Sequence, residues 1–564
     1  MTVRRLITFF CLSLLATSLA AQTPGAPVRR TTEAVTAETD RDVNDARALK
    51  LTLQEALRTA MERNLGIELQ SYDYQMAGHS LRSQYGLYDW FGSATIEKGK
   101  SEGATISRTE PSEQTVTRAN IGVSQNLPAG GNYFLGLNNN RQTTVGGFTD
   151  ISPAYRPSLI FSATQPLARN FGIDVTRRGI LIARNTLGIN REDFRTRLMN
   201  TAISVEQAYL DLVYARRAVE VVKESLFLAR DQGRITQIRI DVGASAPLDI
   251  LQPRVTIATT EEQLIGAVAL VRDSEDRLRA LLNLDRSEWD RPIVPTDPVE
   301  YTPLTISSEA AVARALELRP ELRQAALTTD TRRVQYVYAR NQVRPQLDLN
   351  IDYSATGVAG RTPVFDPVTG QPTGRFTSTG YGNALEQVFG NDFPGWTIGL
   401  QVGVPITNIG ARSEARRAEL DLKRSRMSQR EFEQTVALAV RGAARDVDTT
   451  SRAIVATRTA RDAAERNLDA ERRRFENGMT TNFQVLQIQQ QLSDSRVREL
   501  QALIGYNKAV ANYHREVGDI LEARNISIDE PEIPAEPQVF SFLDRYNWLN
   551  YGSRVKTEET KSER

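Results

Sequence analysis

Apolar positions along this chain keep two different periods, and the points where one gives way to the other divide it into elements. From Leu51, the residues Leu53, Ala56, Leu57, Ala60 and Met61 recur at three and four positions, the spacing of a single apolar stripe on a helix. That helix is expected to run to about Tyr88, where an aromatic cluster of Tyr85, Tyr88, Trp90 and Phe91 begins. The period then becomes two. Ala119, Ile121 and Val123 alternate with Asn120, Gly122 and Ser124; Tyr133, Leu135 and Leu137 alternate less cleanly with Phe134, Gly136 and Asn138. Leu159, Phe161 and Ala163 share a face opposite Ser162 and Thr164. These read as strands with one apolar and one polar face, and Leu127-Pro128-Ala129-Gly130-Gly131 as a tight turn between two of them. After Gln165-Pro166-Leu167 the helical period returns from about Asp174 to Val242, about 69 residues or about 100 Å. Gly243 stops that helix, Ser245 can cap the next, and a shorter helix reaches about Leu284, with a kink expected at Pro253. Trp289 to Pro303 is a proline-punctuated linker.

The same order then recurs. Ser308 to Val343 is helical, with Ala315-Leu316-Glu317 in register with Ala60-Met61-Glu62. Leu347, Leu349, Ile351 and Tyr353 alternate with Asp348, Asn350, Asp352 and Ser354. A Gly-, Pro- and Thr-rich loop spans Val358 to Pro394, and Trp396, Ile398, Leu400, Val402 and Val404 form the cleanest strand, against Thr397, Gly399, Gln401 and Gly403. A second long helix runs from about Ala411 to Glu476, breaks at Asn477-Gly478 and resumes to about Val517. Val242-Gly243-Ala244-Ser245 aligns with Asn477-Gly478-Met479-Thr480, and Ile250-Leu251-Gln252 with Val485-Leu486-Gln487, at one constant offset. The expected division is a signal peptide at 1–20 and a flexible lead-in at 21–50. A first repeat follows at 51–303, with strands at about 92–166 and a turn at 243. A second occupies 304–523, with strands at about 346–405 and a turn at 478. An acidic, then charged, tail covers 524–564.

Composition narrows the class. The chain has 564 residues, 40% hydrophobic and 25% charged, with a formal charge of +1, so nothing points to nucleic acid. No proline occurs between Pro166 and Pro247 or between Pro405 and Pro531, which leaves both long helices free of the residue that breaks them. Arg4 and Arg5 precede an apolar run from Leu6 to Leu19, and Ser18-Leu19-Ala20 offers a signal-peptidase site, so the chain reads as exported. Cleavage there would remove Cys11, the sole cysteine, which follows Phe9-Phe10 and does not resemble a lipoprotein acylation site. No other stretch approaches a spanning apolar helix. An exported protein of this kind is either periplasmic or a β-barrel.

Strands of alternating polarity fit a periplasmic sandwich, and they fit a barrel with lipid outside and a wet lumen inside. Trp90 with Phe91, and Phe393 with Trp396, stand at strand starts, as interfacial girdles do. The helices favour the barrel. A helix of about 100 Å cannot bury its stripe in an ordinary domain and must pack along other long helices. A coiled-coil scaffold would not need strands inserted twice. Four to six strands are too few to close a barrel, for which about eight is the minimum, so several chains must contribute.

At this point the chain, from about Leu51 to Ala523, resembles the TolC-type outer-membrane efflux proteins. The residues that carry the resemblance are Leu51-Thr52-Leu53-Gln54-Glu55-Ala56-Leu57, the junction Gln165-Pro166-Leu167 with Phe171-Gly172, and the duplicated glycine turns. The resemblance implies an α+β membrane protein: a homotrimer with a β-barrel in the outer-membrane lipid, continuous with a long α-helical periplasmic barrel, each chain built of two structural repeats. It implies a passive exit duct for efflux or for type I secretion, joined by a periplasmic adaptor (membrane fusion) protein to an inner-membrane pump. The turns Val242, Gly243, Ala244 and Asn477, Gly478, Met479 would be the adaptor-docking tip, and Asp249, Gln484 and Gln487 the periplasmic constriction. Family members often carry a carboxylate ring where Gln484 and Gln487 stand here. Asp249 matches an acidic position, but the tyrosine and arginine that can lock it are Phe475 and Thr480. The strand pair around Pro128 to Gly131 is additional, and would either widen the barrel from about twelve strands to about eighteen or fold outside it.

Enzyme chemistry finds little support. Gly380-Tyr381-Gly382 begins a dinucleotide-like pattern, but Leu385 stands where the third glycine belongs. His79 and His514, the two histidines, lie on helices, and no metal-ligand spacing or cofactor motif is seen. The alternative reading is a periplasmic coiled-coil scaffold. If Gln484 and Gln487 line the constriction, two neutral amides per chain cannot hold a trivalent cation by Coulomb attraction. Single channels in a planar bilayer should then be only weakly blocked by such ions. Tight micromolar block, abolished by Asp249→Asn, would place the ring on Asp249 instead.

Overall fold

The computed structural model describes residues 47–539 apart from 105, 106, 108, 148, 149, 369–371 and 528. The expected leader, Cys11, most of the lead-in and the charged end of the tail lie outside the described residues. Thr52 starts the first helix with a reciprocal cap: its hydroxyl oxygen accepts the Glu55 amide at 3.2 Å, and its own amide donates to the Glu55 carboxylate at 2.9 Å. This helix, α1 (Leu53–Arg63), stops at Asn64, whose side chain accepts the Gly66 amide and so caps α2 (Leu65–Gln84). The single helix expected from Leu51 to Tyr88 is therefore two. The second half breaks in the same way, α5 (Ser308–Leu318) giving way at Arg319 to α6 (Pro320–Gln342), with proline in the first turn, where no amide is needed.

Two helices dominate, α3 (Arg178–Asp241) with 64 residues and α8 (Ile409–Glu476) with 68, each about 100 Å long. The partner of α3 after its turn is α4 (Leu251–Leu282), and that of α8 is α9 (Asn482–Val517). Pro253 sits in the first turn of α4, where its missing amide breaks no ladder, so the expected kink has no cause. Helices α3 and α9 pack side by side and tie the two hairpins together. The largest core joins Ala202, Val205, Tyr209 and Leu212 of α3 to Ala56, Leu57 and Ala60 of α1 and to Leu264, Leu278 and Leu282 of α4. Small residues let the helices approach and large ones fill the gaps beside them, the interdigitation that dense packing requires.

The linker after α4 is not irregular throughout. Its strand Ile293–Pro295 pairs in parallel with Leu49–Leu51, the strand that ends the lead-in. The Tyr209 hydroxyl donates to Leu51 O at 3.1 Å and accepts the Asp297 amide at 3.3 Å, and burial pushes its pKa up to about 12. Beside it Glu275, fully buried, accepts from Arg216 at 2.7 Å, Arg279 at 3.1 Å and the Ile293 amide at 3.3 Å. The chain after α9 also packs on the helices. Residues 529–539 run back along α2 and α3: Glu530 pairs with Arg191, Glu536 with Arg184 and Tyr85, and Ile533 lies against Gly78.

Six long strands form one antiparallel sheet. In chain order they are β1 (Phe91–Glu102), β2 (Pro111–Asn126), β3 (Asn132–Gly146), β4 (Ala154–Pro166), β5 (Gln346–Thr356) and β8 (Phe393–Gly403), and their order across the sheet is β8-β5-β4-β3-β2-β1. The strands around the Pro128–Gly131 turn thus belong to the sheet. The span read as a loop from Val358 to Pro394 instead contains a hairpin, β6 (Ala359–Phe365) with β7 (Pro372–Ser378), and a ten-residue helix, α7 (Tyr381–Gly390).

Register gives each sheet face one character. Trp396, Tyr353, Phe161, Leu135 and Val123 stand in one row across five strands, and Ile398, Ile351, Ala163 and Tyr133 in the next. On the other face Thr397, Asp352 and Ser162 stand in one row, and Gly399, Asn350, Thr164 and Asn132 in the next. Phe134 and Ile160, with Phe91 and Phe393 at strand starts, are exceptions on the polar face; Phe134 is the best accommodated. Its ring covers the opposed Gly122 and Gly136, where an added Cβ would come within 2.5 and 2.6 Å.

Loss of Glu275 leaves half-buried Arg216 without its carboxylate and buried Arg279 with Asp276 alone. Glu275→Ala is expected to cost about 3 kcal/mol in urea unfolding of the detergent-solubilised protein followed by circular dichroism. A loss below ~1 kcal/mol would show that this cluster does not hold the linker.

Candidate functional site

Both long helices end in the same hydrogen-bonded turn. After α3 the Gly243 amide donates to Ile240 O at 2.9 Å and the Ala244 amide to Arg239 O at 2.7 Å. After α8 the Gly478 amide donates to Phe475 O at 3.0 Å and the Met479 amide to Arg474 O at 2.8 Å. These are two Schellman motifs, and in each the glycine has φ of 74°, the left-handed conformation that a side chain disfavours. Nothing lies within 4 Å of a Cβ added at either glycine, so backbone conformation, not space, selects the residue. Around the turns Val242 is 73% exposed, Leu248 74%, Met479 64% and Phe483 56%, apolar groups at the far end of otherwise charged helices. Ala244 and Asn477 are exposed with them.

The restart after each turn is built differently. Ser245 does not cap α4. The Asp249 carboxylate accepts the Ala246 amide at 3.1 Å instead, across the turn Pro247–Ile250 that precedes the helix. In the second hairpin the Thr481 hydroxyl oxygen accepts the Gln484 amide at 3.4 Å. Gln484 and Gln487 sit one turn apart on the exposed side of α9 while Val485, Leu486 and Ile488 are buried. Gln487 lines a groove of 390 Å³ between α4 and α9 with Gln252, Val255 and Phe483. Asp249 is exposed as well, its carboxylate engaged in its own turn.

Close to the turns, three contacts that were not visible as sites in the sequence join the hairpins. The Arg239 guanidinium lies 4.3 Å above the Phe475 ring and donates to Phe475 O at 3.3 Å. Gln232 donates to Asn482 Oδ1 at 2.6 Å. Ile235 packs on the cluster of Leu468, Phe475, Val485, Ile488 and Leu492. Thr480 donates its hydroxyl to Glu471 at 2.5 Å, a buried carboxylate that also accepts from Arg474 at 3.2 Å. Phe475 and Thr480, which stand where partners of Asp249 were sought, thus serve Arg239 and Glu471. One signal could have found Arg239: it and Arg474 each lie four residues before a turn glycine, in matching places of the two copies.

Among the described residues no group of three His, Cys, Asp or Glu is placed to hold a metal ion, and no helix is long and apolar enough to cross a membrane. A groove of 760 Å³ lies at the opposite end of the long helices, between α2, α3, α6 and α8, where Arg178 stacks 3.8 Å over Tyr338.

The sequence profile of the outer membrane efflux proteins matches residues 132–284 and 311–513, starting at the first residue of β3. The chain is 22% identical over 339 residues to the outer membrane efflux protein BepC of Brucella suis, covering 60% of this chain and 67% of that protein. Among solved structures its fold is similar to the CmeC outer membrane channel of Campylobacter jejuni, with 15% identity, 86% of this chain and 91% of that one covered, and a TM-score of 0.58. The open state of the MtrE outer membrane channel of Neisseria gonorrhoeae gives 14% identity, 83% and 89% coverage and 0.56. A membrane protein from Pseudomonas aeruginosa gives 16%, 84% and 91%, and 0.60.

Because both glycines are left-handed, Gly243→Ala and Gly478→Ala should each destabilise the protein by about 1 kcal/mol. The change should appear as faster local amide exchange confined to the mutated hairpin. Unchanged exchange at either turn would mean that the helix ends do not depend on the glycine.

Proposed function

This chain belongs to the outer membrane efflux protein family, and from that premise we propose that it is the exit duct of a tripartite system. In this reading three copies bring their sheets together as one barrel in the outer membrane, and their helices form a tube across the periplasm. The observation that carries the reading is the sheet: apolar on one face, polar on the other, and ending in two unpaired edges, β1 and β8. Unpaired backbone amides and carbonyls cannot face hydrocarbon, so β8 of one copy must meet β1 of the next. Three copies of six strands give an eighteen-stranded barrel, wide enough for a water-filled lumen.

The apolar rows then face lipid, and Thr397, Asp352, Asn350 and Gln401 line the wet interior. The helices carry the tube to the two glycine turns, where Val242, Gly243, Ala244, Asn477, Gly478 and Met479 are the docking surface for a periplasmic adaptor. That adaptor links the duct to an inner-membrane pump serving efflux or type I secretion. Exposed Val242, Leu248, Met479 and Phe483 supply the apolar contact such docking needs. Asp249, Gln484 and Gln487 form the narrowest ring, and the Arg239–Phe475 stack holds the hairpins in place. The duct does no chemistry; energy and substrate choice belong to the pump.

Fractionation and function test this together. The protein should be recovered in outer membranes as a heat-modifiable trimer, and Ala244→Trp with Met479→Trp should keep that trimer while abolishing efflux. Recovery in the soluble periplasm without a trimer would end the channel reading. Wild-type efflux by the double variant would remove the turns from the docking surface.

A further inference from the structure

Among the described residues, α7 is the one helix of several turns that lies on the sheet instead of below it. Its sequence, Tyr-Gly-Asn-Ala-Leu-Glu-Gln-Val-Phe-Gly, has a single ionisable carboxylate, Glu386, and two apolar edges. Ala384 and Val388 are buried. They face the sheet at Gly357, where an added Cβ would come within 2.0 Å of Ala384 O, and only a residue without a side chain lets the helix settle so closely. The helix is pinned at both ends. Tyr381 donates its hydroxyl to Asn139 and stacks edge-on against Tyr155 at 6.0 Å, and after the last turn Asn391 accepts from the Tyr353 hydroxyl at 2.5 Å. Gln387 accepts the Val358 amide at 2.8 Å.

The residues beneath it fix which side of the sheet it occupies. Tyr353 belongs to the apolar row with Trp396 and Phe161, and Asn139 and Tyr155 follow Leu137 and Phe161 at even spacing on the same face. The helix therefore lies on the apolar face, not in the polar interior. Its height is fixed as well. On β5 the apolar face runs from Leu347 to Ala355, about 27 Å of strand and, at a ~40° tilt, about 20 Å of membrane thickness. Helix α7 covers the far end of that band, at Tyr353, Ala355 and Gly357. Beyond it on the same face the side chains turn charged, with Lys98 and Arg141 in the row of Tyr155 and, further out, Lys100 paired with Glu102 and Glu113. An apolar band below and charged groups above mark the level where acyl chains meet headgroups. At that level the outer edge of α7 carries Leu385 and, 70% exposed, Phe389, one turn apart, while exposed Trp396 stands opposite Tyr353 on the same face of the sheet.

We propose that α7 is an interfacial helix, lying flat at the outer rim of the sheet with Leu385 and Phe389 inserted at the acyl–headgroup boundary of the lipid leaflet. The inference rests on the channel reading, which supplies the membrane, and extends it by giving the outer rim a built lipid contact. An amphipathic segment whose apolar edge enters a bilayer by a few ångströms is held there by the apolar area it removes from water. Three strands of one copy and α7 thus present a single continuous apolar surface, helical at its top and stranded below.

Because Cys11 is the only cysteine, single-cysteine probes can be placed without interference once it is replaced by serine. An environment-sensitive fluorophore is attached to the full-length protein at Phe389→Cys, at Ile398→Cys in the apolar band, or at Val368→Cys, which is 90% exposed in the outer hairpin. Each is reconstituted into phosphatidylcholine vesicles containing a minor fraction of phosphatidylglycerol. Spin labels are carried near the headgroup or at mid-chain. The probe at 389 should be blue-shifted relative to 368 and quenched about twofold more by the shallow label than by the deep one, the reverse of 398. A 389 probe as wet and unquenched as 368, with 398 quenched, would overturn the interfacial helix and leave the channel intact. Absence of quenching at 398 as well would overturn the membrane sheet and the helix with it.

Discussion

A strand in hydrocarbon must find hydrogen-bond partners on both sides, and the rest of this protein follows from how that demand is met. Among the described residues the sheet pairs every interior strand but leaves β1 and β8 open, and its six long strands number fewer than the smallest closed barrel. No arrangement within one copy satisfies those edges while one face is apolar and the other polar. In the proposed trimer association is therefore part of folding, and the symmetry of the proposed barrel sets that of the helices beneath it. The helices must then be long, because their stripes are buried against one another along their whole length and not in a compact core.

The same geometry makes the tube rigid where it meets the sheet and local at its far end. Tyr209 and Glu275 bind the linker and lead-in to α3 and α4, and residues 529–539 lash α2 to α3 through Glu530 and Glu536. Beyond that belt α3, α4, α8 and α9 remain, and the contacts between hairpins thin to Arg496 on Glu224, Arg239 on Phe475, Gln232 on Asn482 and the packing of Ile235. An opening motion at the tip would have to break these few contacts and would leave the core around Tyr209 untouched.

Much of this was legible in the sequence because two periods are hard to confuse over long runs. Trp396 to Val404 could be nothing but a two-faced strand, and 64 residues without proline could be read as α3. The duplicated glycines showed where both helices turn, since a left-handed helix end is a requirement glycine meets at almost no cost. What escaped were features set by tertiary contact. The break at Asn64 depends on a side chain that caps the next helix, and nothing in its apolar spacing distinguishes one helix from two. Helix α7 hid in a Gly-rich span because its ten residues are held by the sheet, through Gly357 and Tyr353, more than by their own pattern. Likewise Phe475 was read by what it lacked, the hydroxyl of a tyrosine, when its ring is the seat of Arg239.

The central claim is that β8 of one copy completes β1 of the next. It is tested most directly by disulfide scanning between single cysteines on the polar faces of the two edges, at Ser93, Thr95 and Glu97 of β1 and at Thr397, Gly399 and Gln401 of β8, in chains lacking Cys11. The account predicts covalent trimers for one register of same-face pairs, and none when a polar-face cysteine is combined with one at Ile398 or Ile96. Native trimers in which no β1–β8 pair ever cross-links would contradict it.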